Sequence, residues 1–218
     1  MCYRIIFGQV NVCIEFGQPF WVAYVELKSA FDSVDTESLW LLLYRLVVLE
    51  KIVGLVQALY TDARTCTCVQ VDSVCSDWFE VLGGVRQGCA IASDLFLAPA
   101  DWIMQRTLER SSLGVNIGCQ SFTDLDYADD VALLAELLHI LTGLGVMSEE
   151  ASLLGLQVNW TKTKIQCIGD IDSVPEIVHI GSPKVEVVNE LTYLAAHITG
   201  DSIVSPRSYG TFVLPTFV

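Results

Sequence analysis

Two adjacent carboxylates, Asp129 and Asp130, lie in the stretch DLDYADDVALLAE at positions 124–136, between Tyr127 and the apolar run Val131 to Leu134. The hydrophobic flanks describe two short, mostly buried strands, 122–127 and 131–135, with the acidic pair at the turn between them. Two like charges at the tip of an apolar hairpin repel each other, and two readings fit. Aspartate is favoured in turns, which makes Ala-Asp-Asp an ordinary polar turn. A divalent-metal site is the other reading, because hard cations take carboxylate oxygens and relieve the repulsion. These thirteen residues leave both open.

The elements around the pair follow from periodicity. WVAYVEL at 21–27 is a near-continuous apolar run that reads as a buried strand. Asp35 or Thr36 can cap a helix after it, in which Leu39, Leu42, Leu43 and Leu46 recur at helical spacing. A second helix is predicted over 51–60. TCTCVQVDS and DWFEVLGGV read as paired strands around a turn near Asp72 and Ser73. Gly83, Gly84 and Gly88 mark a loop before a helix around 94–110, in which Pro99 either starts the helix or kinks it. A helix over 136–154 ends at Gly155 as its C-cap, and LQVNWTKTKIQCIG at 156–169 reads as a strand. After Thr199 all periodicity is lost. The expected organisation is one domain over 1–199 and an irregular tail over 200–218, in an α+β fold with helices packed on an antiparallel sheet.

Composition bounds the function. The 218 residues suit a single domain with a sizeable core. The hydrophobic content of 52% and mean hydropathy of +0.49 are high. The richest apolar run, 39–60, is nevertheless interrupted by Arg45, Glu50 and Lys51, so no membrane span is expected. The N-terminus lacks the pattern of a secretory leader. Eight scattered cysteines include no C-x-x-C pair, which favours free thiols in a reducing compartment and an intracellular protein of cytoplasm or nucleus. Twelve basic against 26 acidic residues give a net charge of −14, and such a surface repels phosphate backbones.

Four stretches in order resemble the reverse-transcriptase domain of non-LTR (LINE-type) retrotransposons: VAYVELKSAFDSVD (22–35), GVRQGCAIASDLF (84–96), FTDLDYADDVALLAE (122–136) and GLQVNWTKTKIQ (155–166). A fifth, LTYLAAHIT (191–199), resembles that family's palm-to-thumb segment. The resemblance implies the palm of a right-hand polymerase, an antiparallel sheet with helices on one face, with partial fingers and the thumb missing. It implies an RNA-directed DNA polymerase acting on an RNA template, a DNA primer and deoxynucleoside triphosphates. Its cofactor would be two Mg2+ ions, one activating the primer 3′-hydroxyl and one stabilising the leaving pyrophosphate. The remaining fingers, thumb or flanking domains would belong to a longer polyprotein.

The same resemblance assigns residues. Asp129 is the leading metal ligand and Asp130 supports it. Glu26 stands where the family places an aspartate, and its extra methylene adds roughly 1.5 Å of reach. A displacement of about 1 Å at a reacting centre can cost about a hundredfold in rate. Asp32 and Asp35 are near but not at the ligand position; Asp32 reads as a turn or helix-entry residue. Phe31 matches the steric gate that excludes a nucleotide 2′-hydroxyl, although core packing would equally place an aromatic there. Gly84, Arg86, Gln87 and Gly88 match the loop that holds template and incoming nucleotide. Ala90, Ala92 and Ser93 replace the proline and Ser-Pro usual after it, a change that loosens the loop. Lys164 or Lys162 is the lysine that would neutralise the leaving pyrophosphate, or else a solvated strand lysine. Because of Glu26 and the charge of −14, two alternatives stand beside a working enzyme: a catalytically dead relic, and an acidic interaction domain derived from one.

Overall fold

The computed structural model describes residues 19–61, 66–67, 70–71, 74–75, 79–80, 83–85, 89–117, 120–127, 130–169, 174–193, 196–200 and 203–204. In chain order the strands are β1 (Phe20–Val25), β2 (Cys66–Thr67), β3 (Gln70–Val71), β4 (Val74–Cys75), β5 (Phe79–Glu80), β6 (Val115–Ile117), β7 (Gln120–Phe122), β8 (Asp124–Tyr127), β9 (Asp130–Ala135), β10 (Lys164–Ile168), β11 (Ile177–His179), β12 (Lys184–Val188), β13 (Glu190–Tyr193), β14 (Ala196–Thr199) and β15 (Ile203–Val204). The helices are α1 (Ala30–Ser33), α2 (Thr36–Arg45), α3 (Glu50–Thr61), α4 (Ala92–Arg110) and α5 (Leu137–Leu153). The described residues fall into two compact units, one within 1–25, 112–142 and 160–218, the other within 26–111 and 143–159. No helix among them is long and apolar enough to cross a membrane.

The first unit is built on a six-stranded sheet ordered β11-β12-β10-β1-β9-β8. Strand β1 lies inside it, antiparallel to β10 from Phe20↔Ile168 to Tyr24↔Lys164 and to β9 from Trp21↔Ala135 to Val25↔Val131. All six of its residues are buried, which accounts for the unbroken apolar sequence FWVAYV: a strand covered on both faces needs no polar alternation. Phe20, Val22 and Tyr24 share one face and pack with Ala132, Leu134 and Ile168 against Tyr193 and Ile198 of the three-stranded β13-β14-β15 sheet. Gln166, fully buried, ties these layers together. It accepts from the Tyr24 hydroxyl (3.1 Å) and donates to the carbonyls of Asn189 and Ile198 (both 3.1 Å).

The second unit carries α2, α3 and α4. The Asp35 carboxylate caps α2 by accepting from the Ser38 backbone N–H at 2.8 Å. Leu39, Leu42 and Leu43 form the buried stripe, as their spacing predicts. Leu46 leaves that stripe because the helix ends at Arg45, and it is 45% exposed. Helix α4 continues through Pro99, which is buried in its interior and does not start it. At the end of α5, Gly155 adopts φ +80°. A side chain there would meet the Ser33 carbonyl at 2.7 Å and the Asp35 nitrogen at 2.8 Å, so only glycine lets the chain pass this close.

Three expectations change. The sheet is mixed and not wholly antiparallel: β11 takes the outer position, and the turn at 180–183 inserts β12 between β11 and β10, which forces β12 parallel to β10. The stretch 156–169 is not one strand. Val158 makes a single bridge to Leu27, residues 160–162 form a turn, and only Lys164–Ile168 is extended in the sheet. Finally, the stretch from 200 contains structure: the Gly200 carbonyl accepts from Gly169 N–H at 2.8 Å, and β15 pairs with β14. Residues 205–218 lie outside the described residues.

Candidate functional site

The acidic residues sit at the ends of the buried strands. Glu26 follows the last residue of β1, and Asp130 is the first residue of β9; both are half-buried. The antiparallel register ends at Val25↔Val131, and Asp130 itself pairs with Tyr127 across the β8·β9 hairpin. Asp129 lies outside the described residues. The chain just after β1 is held by backbone bonds: Asn159 N–H donates to the Glu26 carbonyl (2.7 Å), and Lys28 N–H donates to the Gln157 carbonyl (2.8 Å). The sequence GLQVN therefore clamps the segment that carries Glu26. Of the other acids, Asp32 is exposed within α1, and Asp35 is engaged as the α2 cap. Its hydrogen bonds from Ser38 hold the Asp35 carboxyl below the usual carboxylate range.

Phe31 and the glycine loop meet in the second unit. The Gly84 N–H donates to the Val34 carbonyl (3.0 Å), and Val85 N–H donates to the Phe31 carbonyl (2.7 Å). Gly84 has φ +82°, and a Cβ there would lie 2.6 Å from both the Asp32 Cα and the Phe31 carbonyl oxygen. No other residue permits this approach. At the start of α4, Ala92 N–H donates to the Cys89 carbonyl (3.1 Å). Arg86, Gln87 and Gly88 lie outside the described residues, between these two anchors. The Phe31 ring is half-buried and stacks on Phe96 of α4, with centroids 4.5 Å apart and planes inclined by 21°.

Lys164 opens β10 with its ammonium engaged. It donates to the Glu186 carboxylate of β12 at 2.7 Å and to the Thr161 carbonyl at 3.0 Å. This pair holds the Glu186 carboxyl below its usual range. Both residues line an open groove of about 680 Å³ with Trp160, Glu176 and Lys184. Lys162 is exposed in the preceding turn.

A divalent ion needs hard oxygen donors with room for water. Glu26 and Asp130 are each half-buried carboxylates. Among the described residues no group of three or more histidine, cysteine, aspartate or glutamate side chains is assembled for a metal. Sequence reasoning missed the Gln157–Asn159 clamp, because one bridge leaves no periodicity. It also missed the Phe96 contact, because Phe96 reads only as an apolar residue in a helix.

Similarity to known proteins shows the family and the fold. A sequence model of the family described as Reverse transcriptase (RNA-dependent DNA polymerase) matches residues 10–198. The chain is 29% identical over 116 residues, 53% of its length, to the retrovirus-related Pol polyprotein from type-1 retrotransposable element R2 of Nasonia vitripennis, and it spans 11% of that polyprotein. The fold is similar to telomerase from Candida tropicalis solved in complex with a fragment of telomeric RNA (TM-score 0.60, 14% identity, 99% of this chain and 35% of that one). It is also similar to the corresponding telomerase complex from Candida albicans (TM-score 0.57, 11% identity, 98% and 35%). A family match that takes in β1, the glycine loop, the acidic hairpin and β10 leaves one conclusion: the chain belongs to the reverse transcriptase family.

Proposed function

We propose that this chain is the palm, with part of the fingers, of an RNA-directed DNA polymerase. Its substrates would be an RNA template, a DNA primer and deoxynucleoside triphosphates. The observation that carries the reading is the β1·β9 register. It ends at Val25↔Val131, so Glu26 is the next residue along one strand and Asp130 the preceding residue of the other. Glu26, Asp129 and Asp130 would hold two Mg2+ ions, which when bound activate the primer hydroxyl and stabilise the leaving pyrophosphate. The chain's own contribution is positioning. The Gln157–Asn159 clamp fixes the segment bearing Glu26, and Gly84 and Val85 fix the backbone of Phe31. Phe31 would exclude a 2′-hydroxyl. Lys164 would exchange the Glu186 carboxylate for a phosphate oxygen, and a partly exposed ion pair is cheap to break.

Activity of the chain as it stands is low in this reading. Glu26 places its oxygens one methylene further out than aspartate would, and a net charge of −14 weakens binding of a phosphate backbone. Primer extension on an RNA template with magnesium and deoxynucleotides tests it. The unaltered chain should extend little. At saturating primer–template, Glu26→Asp should raise the single-turnover rate by up to about a hundredfold, and Asp129→Ala in that background should abolish the gain. Extension by the unaltered chain at about 1 per second or faster, a typical enzyme rate, would overturn the impaired reading. The charge also favours a second reading, a catalytically silent acidic interaction domain. Failure of the Glu26→Asp chain to bind primer–template even at low salt would select it.

A further inference from the structure

We infer that Phe96 is a specificity-determining positioning residue, which fixes the ring plane of Phe31 and thereby sets discrimination between deoxyribo- and ribonucleotides. The inference rests on the reading of Phe31 as the sugar gate. The backbone of Phe31 is already fixed: its carbonyl accepts from Val85 N–H at 2.7 Å, and Gly84 presses against Asp32. What remains free is the side chain, and the terminal torsion of a phenylalanine has a broad well. One face of that ring meets Phe96 at 4.5 Å and 21°, within the offset-stacked range that aromatic pairs prefer. Phe96 is itself 1% exposed and set in α4, so it cannot yield. Phe31 is only half-buried, which leaves part of its ring open to a ligand.

A gate that rejects a single oxygen atom works only if the ring does not tilt. Loosening its support should therefore admit the larger sugar while leaving the smaller one bound as before. Plain packing makes a different prediction: weakening the core at Phe96 would reduce binding of both sugars equally.

Equilibrium binding to the full chain on an RNA template with a dideoxy-terminated primer separates the two, because it needs no turnover. The readout is the ratio of Kd values for the matched ribo- and deoxynucleoside triphosphates. Phe96→Leu should lower that ratio about two- to tenfold, the range expected for a lost aromatic pair, and change deoxynucleotide Kd less than twofold. Phe31→Val should lower the ratio at least as far, and adding Phe96→Leu to it should lower it no further, since the two act as one unit. Phe96→Tyr, which keeps the stack, should restore the parental ratio. Met147→Leu, a buried change elsewhere in the same unit, should leave it unaltered. If Phe96→Leu does not fold, Phe96→Met carries the same prediction. An unchanged ratio in a folded Phe96 variant, or equal weakening for both sugars, overturns this inference alone. Equal binding of both sugars by the unaltered chain, or no nucleotide binding at all, overturns the functional reading and this inference with it.

Discussion

Lys164 and Gln166 stand two residues apart on β10 and face the same way, yet their surroundings handle polarity in opposite manners. Around Gln166 the protein is closed. Tyr24, Asn189 and Ile198 use both ends of its amide, and the Tyr24 and Tyr193 rings lie 4.8 Å apart beside it. Around Lys164 it is open: a groove lined by Trp160, Glu176 and Lys184, with Glu186 as a partner 61% exposed. A buried amide must keep every bond it makes, because water cannot replace a lost one. A lysine in contact with solvent can exchange partners at little cost. The closed end therefore fixes the sheet, and the open end leaves Lys164 able to change partners.

The largest effect should come from breaking the rigid side of this contrast. Ile165, between the two polar residues and fully buried on the opposite face, should lose about 2–5 kcal/mol on replacement by alanine, read as a lowered urea midpoint. Gln166→Leu should come next. It strips the Tyr24 hydroxyl and two carbonyls of their partner, at about 1–3 kcal/mol for a buried group left unsatisfied. A midpoint equal to the parent's would mean that this amide network is dispensable.

Smaller effects distinguish burial from exposure by their pH dependence. Burial pushes the Tyr24 phenol well above its ordinary range. The unfolded phenol ionises near about 10, so the loss of stability due to Tyr24 should begin near that pH and grow as pH rises above it. Tyr24→Phe leaves the buried Gln166 Oε1 without its donor, which should cost toward the lower end of about 1–3 kcal/mol, and it should flatten part of the alkaline decline. Burial also raises the Cys167 thiol, so a portion of that decline should survive. The smallest effect belongs to the open end. Lys164→Ala should leave the urea midpoint at neutral pH close to the parent's, more so in high salt. The Glu186 carboxyl is lowered by Lys164, so what the pair contributes is present above the ordinary carboxylate range and should be lost as pH falls from there through the lowered Glu186 value. A large loss at neutral pH would show that the groove end is as rigid as the core.

Much of the fold was legible because burial writes itself into local pattern. FWVAYV was readable as a strand since both its faces are covered, and Asp35 was readable as a cap since aspartate accepts from the first turn. The strands from 177 to 188 were not, because three residues in β11 and five in β12 are too few for a periodic pattern to stand out. The stretch from Leu156 to Ile168 is not one strand for a related reason: Val158 and Asn159 are held by Leu27 and Glu26, more than a hundred positions away.

The sequence by itself determined the family, through collinear motifs, and the candidate carboxylates, through their flanks of apolar residues. It also supplied the residues of the proposed site, Glu26 in place of aspartate among them. Only tertiary structure decided what each of those residues touches. Phe31 could have been core or gate, and its half-burial against Phe96 follows from where α4 lies. Lys164 could have been solvated, and its pairing with Glu186 follows from the parallel insertion of β12 beside β10. Periodicity reports only whether a side chain faces the interior. Its partner is set by which distant strand or helix is brought against it, and no local pattern encodes that.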